Sequence, residues 1–130
     1  MKPARILIVE DDVLMRGLLR DHLARSSELE IVAETDNGNE AVTLAKQLRP
    51  DIVLMDLSLK GMDGLKATQR IKKSCPDTHV IILTNYALED LKERAREGPW
   101  LQASAFLAKD EIAKRLLPVI SSLIREKKGE

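Results

Sequence analysis

Six residues of this chain have side chains that suit a single reaction, and each follows or ends a short apolar run. Glu10, Asp11 and Asp12 follow residues 6–9, Asp56 follows 52–55, Thr84 follows 80–83 and Lys109 follows 106–108. Several carboxylates brought together repel one another and hold protons unless a cation sits among them. Hard oxygen ligands of this kind suit Mg²⁺, which takes one or two protein carboxylates and keeps several waters. A magnesium site beside an exposed carboxylate, an ammonium and a hydroxyl is equipped for phosphoryl transfer. The cation and the lysine would neutralise the phosphoryl oxygens, and a carboxylate would serve as nucleophile. Asp56 is the best candidate nucleophile, because it ends a central apolar run and opens a loop, 57–64. That loop contains Gly61 and Gly64 and can approach a phosphoryl group closely.

These residues are spread over about 100 positions, so only a fold can bring them together. The apolar runs at 6–9, 31–33, 52–55, 80–83 and 106–108 have strand length, and most are rich in Val and Ile. Amphipathic stretches lie between them. Met15, Leu18, Leu19 and Leu23 form one helical stripe, and Ala41, Leu44, Ala45 and Leu48 a second. Leu65, Thr68 and Ile71 form a weaker third, Leu88, Leu91 and Ala95 a fourth, and Ile112, Leu116, Val119, Ile120 and Leu123 the last. Strand then helix, five times, predicts an α/β fold with a parallel sheet. The first, third and fourth runs are continuously apolar, as strands covered on both faces require. The second, flanked by acids, reads as an edge. Pro50 and the segment 74–77 stop the second and third helices, while Pro118 either kinks the last helix or starts it late. In such a sheet the polar residues at the strand ends converge on one edge, where open α/β sheets bind ligands.

Each residue also has a plainer role open to it. Asp12 is well placed to cap the helix that follows, Thr84 could be an ordinary strand residue, and Lys109 a solvated charge. The joint pattern favours chemistry. His22, on a helix, and His79, opening a strand, read as structural. The single cysteine, Cys75, excludes an internal disulfide and a multi-cysteine zinc site, and reads as a free structural thiol.

Composition narrows the function classes. Of 130 residues, 44% are apolar, which fits a globular core; 21 basic and 21 acidic residues give zero net charge, against a coat for nucleic acid or an anionic membrane. One Tyr, one Trp and one Phe are too few for a base-stacking platform. The longest apolar runs are about five residues, far short of a membrane span. The N-terminus lacks a signal-peptide pattern, so a cytoplasmic location is expected.

With these pieces in order, the chain resembles the receiver domain of two-component response regulators from residue 5 to residue 124. The matching segments are 6–12 with Arg16, 51–57, 61–65, 80–84 and 106–110. The resemblance implies a flavodoxin-like (βα)5 three-layer sandwich with a five-stranded parallel sheet in the order 2-1-3-4-5. It implies that Asp56 is the phosphoacceptor, charged by a sensor histidine kinase or phosphotransfer protein. It assigns Mg²⁺ to Glu10, Asp11, Asp56 and the backbone carbonyl of Ser58. Lys109 matches the residue that contacts the phosphoryl oxygens, Thr84 the switch hydroxyl and Phe106 the aromatic switch. Ser58, Asn85 and Tyr86 fall where the family tunes phosphoryl lifetime. Phosphorylation would bias a face built from the fourth helix, fifth strand and fifth helix. That face could support a phosphorylation-dependent dimer or contact an output protein or domain outside this chain.

The chain departs from the family pattern in places. Asn85 stands where a small residue is common, and Asp110 where proline is common, so an ordinary trans bond is expected after Lys109. The connection 98–109 is about four residues longer than usual and carries Pro99 and Trp100, which reads either as a partner anchor or as a core cover. A phosphatase of the aspartate-nucleophile class would need a second Asp at position 58, where Ser58 stands. A dinucleotide oxidoreductase would need G-x-G-x-x-G where Glu10, Asp11 and Asp12 stand. The remaining alternative is a non-phosphorylated pseudo-receiver that acts as a protein-interaction module. No conventional enzyme activity is expected beyond self-phosphorylation from a phosphodonor and autodephosphorylation. Residues 1–130 read as one receiver domain with its core at about 4–124, and 125–130 as a charged tail or linker start.

Overall fold

The structure is a computed structural model that describes residues 2–57, 59, 62–85 and 102–127. The expectations placed on Ser58, Gly61, Tyr86, Trp100 and the Leu88–Leu91–Ala95 stripe lie outside those residues. Five strands follow one another as β1 (Ala4–Val9), β2 (Leu29–Thr35), β3 (Ile52–Asp56), β4 (His79–Thr84) and β5 (Ala105–Ala108). All neighbouring pairs are parallel, and the order is β2-β1-β3-β4-β5. The acid-flanked second run is thus an edge strand, and β1, β3 and β4 occupy the centre. The helices among the described residues are α1 (Val13–Leu23), α2 (Gly38–Leu48), α3 (Gly64–Ser74) and a C-terminal helix, α4 (Ile112–Lys127). A 3₁₀ turn, Lys109–Glu111, links β5 to α4.

The alternation of side chains along each central strand builds two cores, one per face. Ile6, Ile8, Leu54, Ile81 and Leu83 pack against Leu19 and Leu23 of α1 and against Leu116 and Ile120 of α4. Leu7, Val9, Val53, Met55 and Ile82 pack against Ala41 and Ala45 of α2 and Ala67 and Ile71 of α3. Large aliphatics therefore meet α1 and α4, while alanines let α2 and α3 approach closely. Residues 6–9 and 52–55 are wholly buried, which fixes their register strongly.

The helix stripes are mostly realised, with one exception. Leu19 and Leu23 are buried, but Leu18 is 43% exposed and shares an outward face with Leu14. Pro118 lies inside α4, so the last helix neither starts late nor stops there. Residue Arg49 ends α2 in the left-handed region, at φ 47°, with its N–H donating to the Ala45 carbonyl; Pro50 then prevents continuation. Cys75 is buried and its thiol donates to the Ala45 carbonyl at 3.5 Å, which suits a structural thiol. Buried His22 lies on α1, and His79 opens β4 with Nδ1 2.8 Å from Ser104 Oγ. Peptide bonds among the described residues, including the one after Lys109, are trans. No helix among the described residues is long and apolar enough to cross a membrane.

One glycine ties the fold to the site. The N–H of Gly64, the first residue of α3, donates to the carbonyl of Leu57, the residue after β3, at 2.9 Å. A Cβ on Gly64 would collide with the Asp56 carbonyl oxygen and come within 2.9 Å of Leu57 Cα. Those are backbone atoms and cannot swing away. Gly64→Ala is expected to lower stability by about 1–3 kcal/mol, the usual cost of overpacking. A shift of the urea midpoint would measure it. An unchanged midpoint would show that the backbone of Asp56 and Leu57 yields freely.

Candidate functional site

Register brings the site together. Val9 is paired with Met55, so Glu10 and Asp56 each stand one residue further along neighbouring strands. Asp56 is paired with Leu83, which sets Thr84 one step beyond it, and Thr84 is paired with Ala108, the residue before Lys109. Residues far apart in sequence thereby share the carboxyl edge of the sheet.

The turn from β1 into α1 divides three acids among different tasks. Asp12 caps α1, its Oδ1 accepting from the N–H groups of Leu14 at 2.9 Å and Met15 at 3.4 Å. The plainer reading thus holds for Asp12. Glu10 turns inward and is fully buried, with Oε2 accepting from the Asp12 N–H at 3.2 Å. Asp11 is half-buried at the rim. Oxygens of Glu10, Asp11 and Asp56 all lie within 4.8 Å of one another.

Lys109 faces this acidic group from the turn that follows β5. Its Nζ is 3.0 Å from Asp56 Oδ1 and 3.1 Å from Glu10 Oε1, and its side chain is only 14% exposed. Burial alone would lower its pKa, but bonds to Asp56 and Glu10 outweigh this and raise it, so the ammonium stays charged. Thr84 is buried at the end of β4, Asn85 is exposed after it, and Phe106 is half-buried on β5 against the α2–α3 core.

The donor set fits a hard divalent cation. Among the described residues, the candidate ligands are carboxylate oxygens of Glu10, Asp11 and Asp56, hard donors of the kind Mg²⁺ prefers. Glu10 Oε1 is buried and has no hydrogen-bond partner beyond its ion pair with Lys109 at 3.1 Å. With that single contact, the oxygen keeps a lone pair that a divalent cation would engage.

Glu10 carries the clearest pKa shift. Burial, then the neighbouring Asp56 carboxylate, push it from 4.5 to about 7, against the opposing pull of the Asp12 N–H and the Lys109 ammonium. A carboxyl raised on folding stabilises the protein fully below its unfolded value of 4.5, and that contribution is lost as pH rises through about 7. A cation needs the ionised form. Mg²⁺ affinity is therefore expected to climb between about pH 6 and pH 8, with proton release on binding. Calorimetric titrations at the two pH values would measure it; equal affinities would contradict the shift.

Two features escape sequence reasoning. Arg16 appears there only as part of a matching segment, yet its Nη1 donates to the Glu10 carbonyl at 3.3 Å. Gly64 appears as a flexible loop residue, whereas it is a point of backbone contact with Asp56. The only sequence signal for the first is a basic residue one helical turn inside α1.

Comparisons with known proteins agree on a family. The pattern of the response regulator receiver domain matches residues 6–121. The transcriptional regulatory protein YdfI of Bacillus subtilis is 38% identical over 121 residues, 93% of this chain and 55% of YdfI. The response regulator protein VraR of Staphylococcus saprophyticus is 38% identical over 96 residues, 74% of this chain and 46% of VraR. The chain thus spans about half the length of these curated relatives. A crystal structure of a LuxR-family two-component response regulator from an Aurantimonas species superposes with a TM-score of 0.84 at 27% identity, covering 96% of this chain and 87% of that one. The signal receiver domain of a modulated diguanylate cyclase from Desulfovibrio desulfuricans superposes with a TM-score of 0.81 at 32% identity, covering 98% of both chains.

Proposed function

This chain belongs to the response regulator receiver domain family, and from that premise we propose that it accepts a phosphoryl group on Asp56. The donor is a histidine of a sensor kinase or phosphotransfer protein. One observation carries the reading: Asp56, at the end of a buried central strand, has an ammonium 3.0 Å away and two further carboxylates within 4.8 Å. Glu10, Asp11, Asp56 and the Ser58 carbonyl would hold Mg²⁺. Bound there, Mg²⁺ would neutralise charge on the phosphoryl oxygens.

In the transfer, an Asp56 carboxylate oxygen forms a bond to phosphorus as the phosphorus–nitrogen bond to the donor imidazole breaks. The imidazole nitrogen keeps the bonding pair and takes up a proton. Lys109, already on Asp56 Oδ1, supplies its ammonium to the arriving phosphoryl oxygens, and Thr84 offers a hydroxyl from the adjacent strand end. The aspartyl phosphate then carries roughly two negative charges where the carboxylate carried one. That change draws Thr84 inward and repositions Phe106, biasing the surface around β5 and α4. Ser58, Asn85 and Tyr86 tune the lifetime of the adduct.

The output lies with a partner or with a domain outside residues 1–130, which form one receiver unit. Two similar proteins are described as a transcriptional regulatory protein and a DNA-binding response regulator, so transcriptional control is the favoured output. The receiver itself contacts neither DNA nor membrane, works in the cytoplasm and turns over no substrate beyond its own phosphoryl group. Incubation with Mg²⁺ and acetyl phosphate is expected to add a single phosphoryl group by intact mass, and chelator to prevent it. Failure with both acetyl phosphate and phosphohistidine donors would favour a pseudo-receiver instead.

A further inference from the structure

The β1–α1 turn carries two of the three acids, and a second set of contacts, outside the acidic group, fixes its shape. Arg16 stands on the first turn of α1 with its backbone N–H donating to the Asp12 carbonyl at 2.9 Å. Its guanidinium reaches back over the turn, and Nη1 donates to the Glu10 carbonyl at 3.3 Å. The same guanidinium is braced from the other side, with Nε 3.6 Å from Glu34 Oε1 on β2. Glu34 in turn is gripped by Arg20, one turn further along α1, at 2.6 Å. Arg16 and Glu34 are about three-quarters buried, at 23% and 24% exposure, so the brace is shielded from solvent. The Glu10 N–H is held as well, donating to the Thr35 carbonyl at 3.0 Å. Both main-chain polar groups of Glu10 are therefore tied to β2, directly or through Arg16.

We infer that Arg16 is a positioning residue for the metal-binding acids, its guanidinium holding residues 10–12 so that the Glu10 and Asp11 carboxylates aim at a shared cation. The inference rests on the reading of Glu10, Asp11 and Asp56 as a Mg²⁺ site. A planar guanidinium can serve the Glu10 carbonyl and the Glu34 carboxylate together; a lysine ammonium is a single point and cannot span both. Partners behind metal ligands typically govern affinity by 10–100-fold.

Electrostatics and positioning predict opposite signs here. Arg16 is a cation near a cation site, so removing its charge should by itself strengthen Mg²⁺ binding. Positioning predicts that removal weakens it. A role confined to stability would lower the unfolding midpoint and leave Mg²⁺ affinity unchanged or tighter.

The test is calorimetric titration of Mg²⁺ alone into the full chain, its Arg16→Ala variant and its Arg16→Lys variant, with urea unfolding in chelator for each. The expected result is a loss of about tenfold in affinity for Arg16→Ala and a loss of affinity for Arg16→Lys despite its retained charge. Equal or tighter binding by Arg16→Ala overturns the inference. If Arg16→Ala does not fold, Arg16→Lys decides the matter: weaker binding supports positioning, and wild-type affinity overturns it. Wild-type protein that takes up no Mg²⁺ overturns the metal reading, and the inference with it.

Discussion

Asp56→Asn protein is expected to take no phosphoryl group from acetyl phosphate under conditions where the wild-type chain gains one. An amide oxygen is a poor nucleophile and cannot carry the displaced charge, so the effect on uptake should be complete within detection. The substitution also removes one of three clustered carboxylates and half of the pairing that holds Lys109. Mg²⁺ affinity should therefore fall by more than the roughly 10–100-fold that loss of an outer-shell partner costs. The fold should survive, because Glu10 still faces the ammonium at 3.1 Å. Intact mass and circular dichroism test the two halves together. A phosphoryl adduct on Asp56→Asn would place the acceptor elsewhere.

Lys109→Ala has the next largest expected effect, and it falls on stability as well as chemistry. Lys109 faces two carboxylates in a site where Glu10 is wholly buried and Asp56 nearly so. Removing one partner of a buried charge pair costs about 3–5 kcal/mol, because the charge left behind has no partner. Glu10 softens the loss by taking up a proton, since its pKa is already raised to about 7, so a value near the lower end is expected in chelator. Added Mg²⁺ should restore part of that stability by binding the folded form alone. Urea unfolding with and without Mg²⁺ checks both statements. A variant as stable as wild type in chelator would contradict the buried-charge account, and one indifferent to Mg²⁺ would contradict the cation site.

What could be read from the sequence follows from how each feature is encoded. The central strands are legible because residues 6–9 and 52–55 are apolar without interruption, as a short parallel strand covered on both faces requires. The acids, Thr84 and Lys109 are legible as a site because strand ends of a parallel sheet must share an edge. Strand order is different: periodicity carries no trace of it, and it came through the family resemblance. Long-range side-chain partners were not legible. The bond from Arg16 to the Glu10 carbonyl depends on the path of the β1–α1 turn. The pairing of Arg16 with Glu34 depends further on the register of β1 and β2, which shifts between Ile6 and Leu7. Leu18 illustrates a simpler limit. It belongs to an apolar stripe, but the buried face of α1 is centred on Leu19 and Leu23, and Leu18 is turned away from it. Gly64 reads as a loop residue until the Asp56 carbonyl is seen to occupy the space its side chain would need.

One carboxylate, Asp56, is proposed to carry the phosphoryl group. The most direct measurement is to phosphorylate the chain with acetyl phosphate and Mg²⁺, reduce the acyl phosphate with borohydride and map the peptides by mass spectrometry. A single reduced, homoserine-type residue is expected at position 56, absent when chelator replaces Mg²⁺. Reduction at any other acid, or none in a chain shown by intact mass to be phosphorylated, would contradict it.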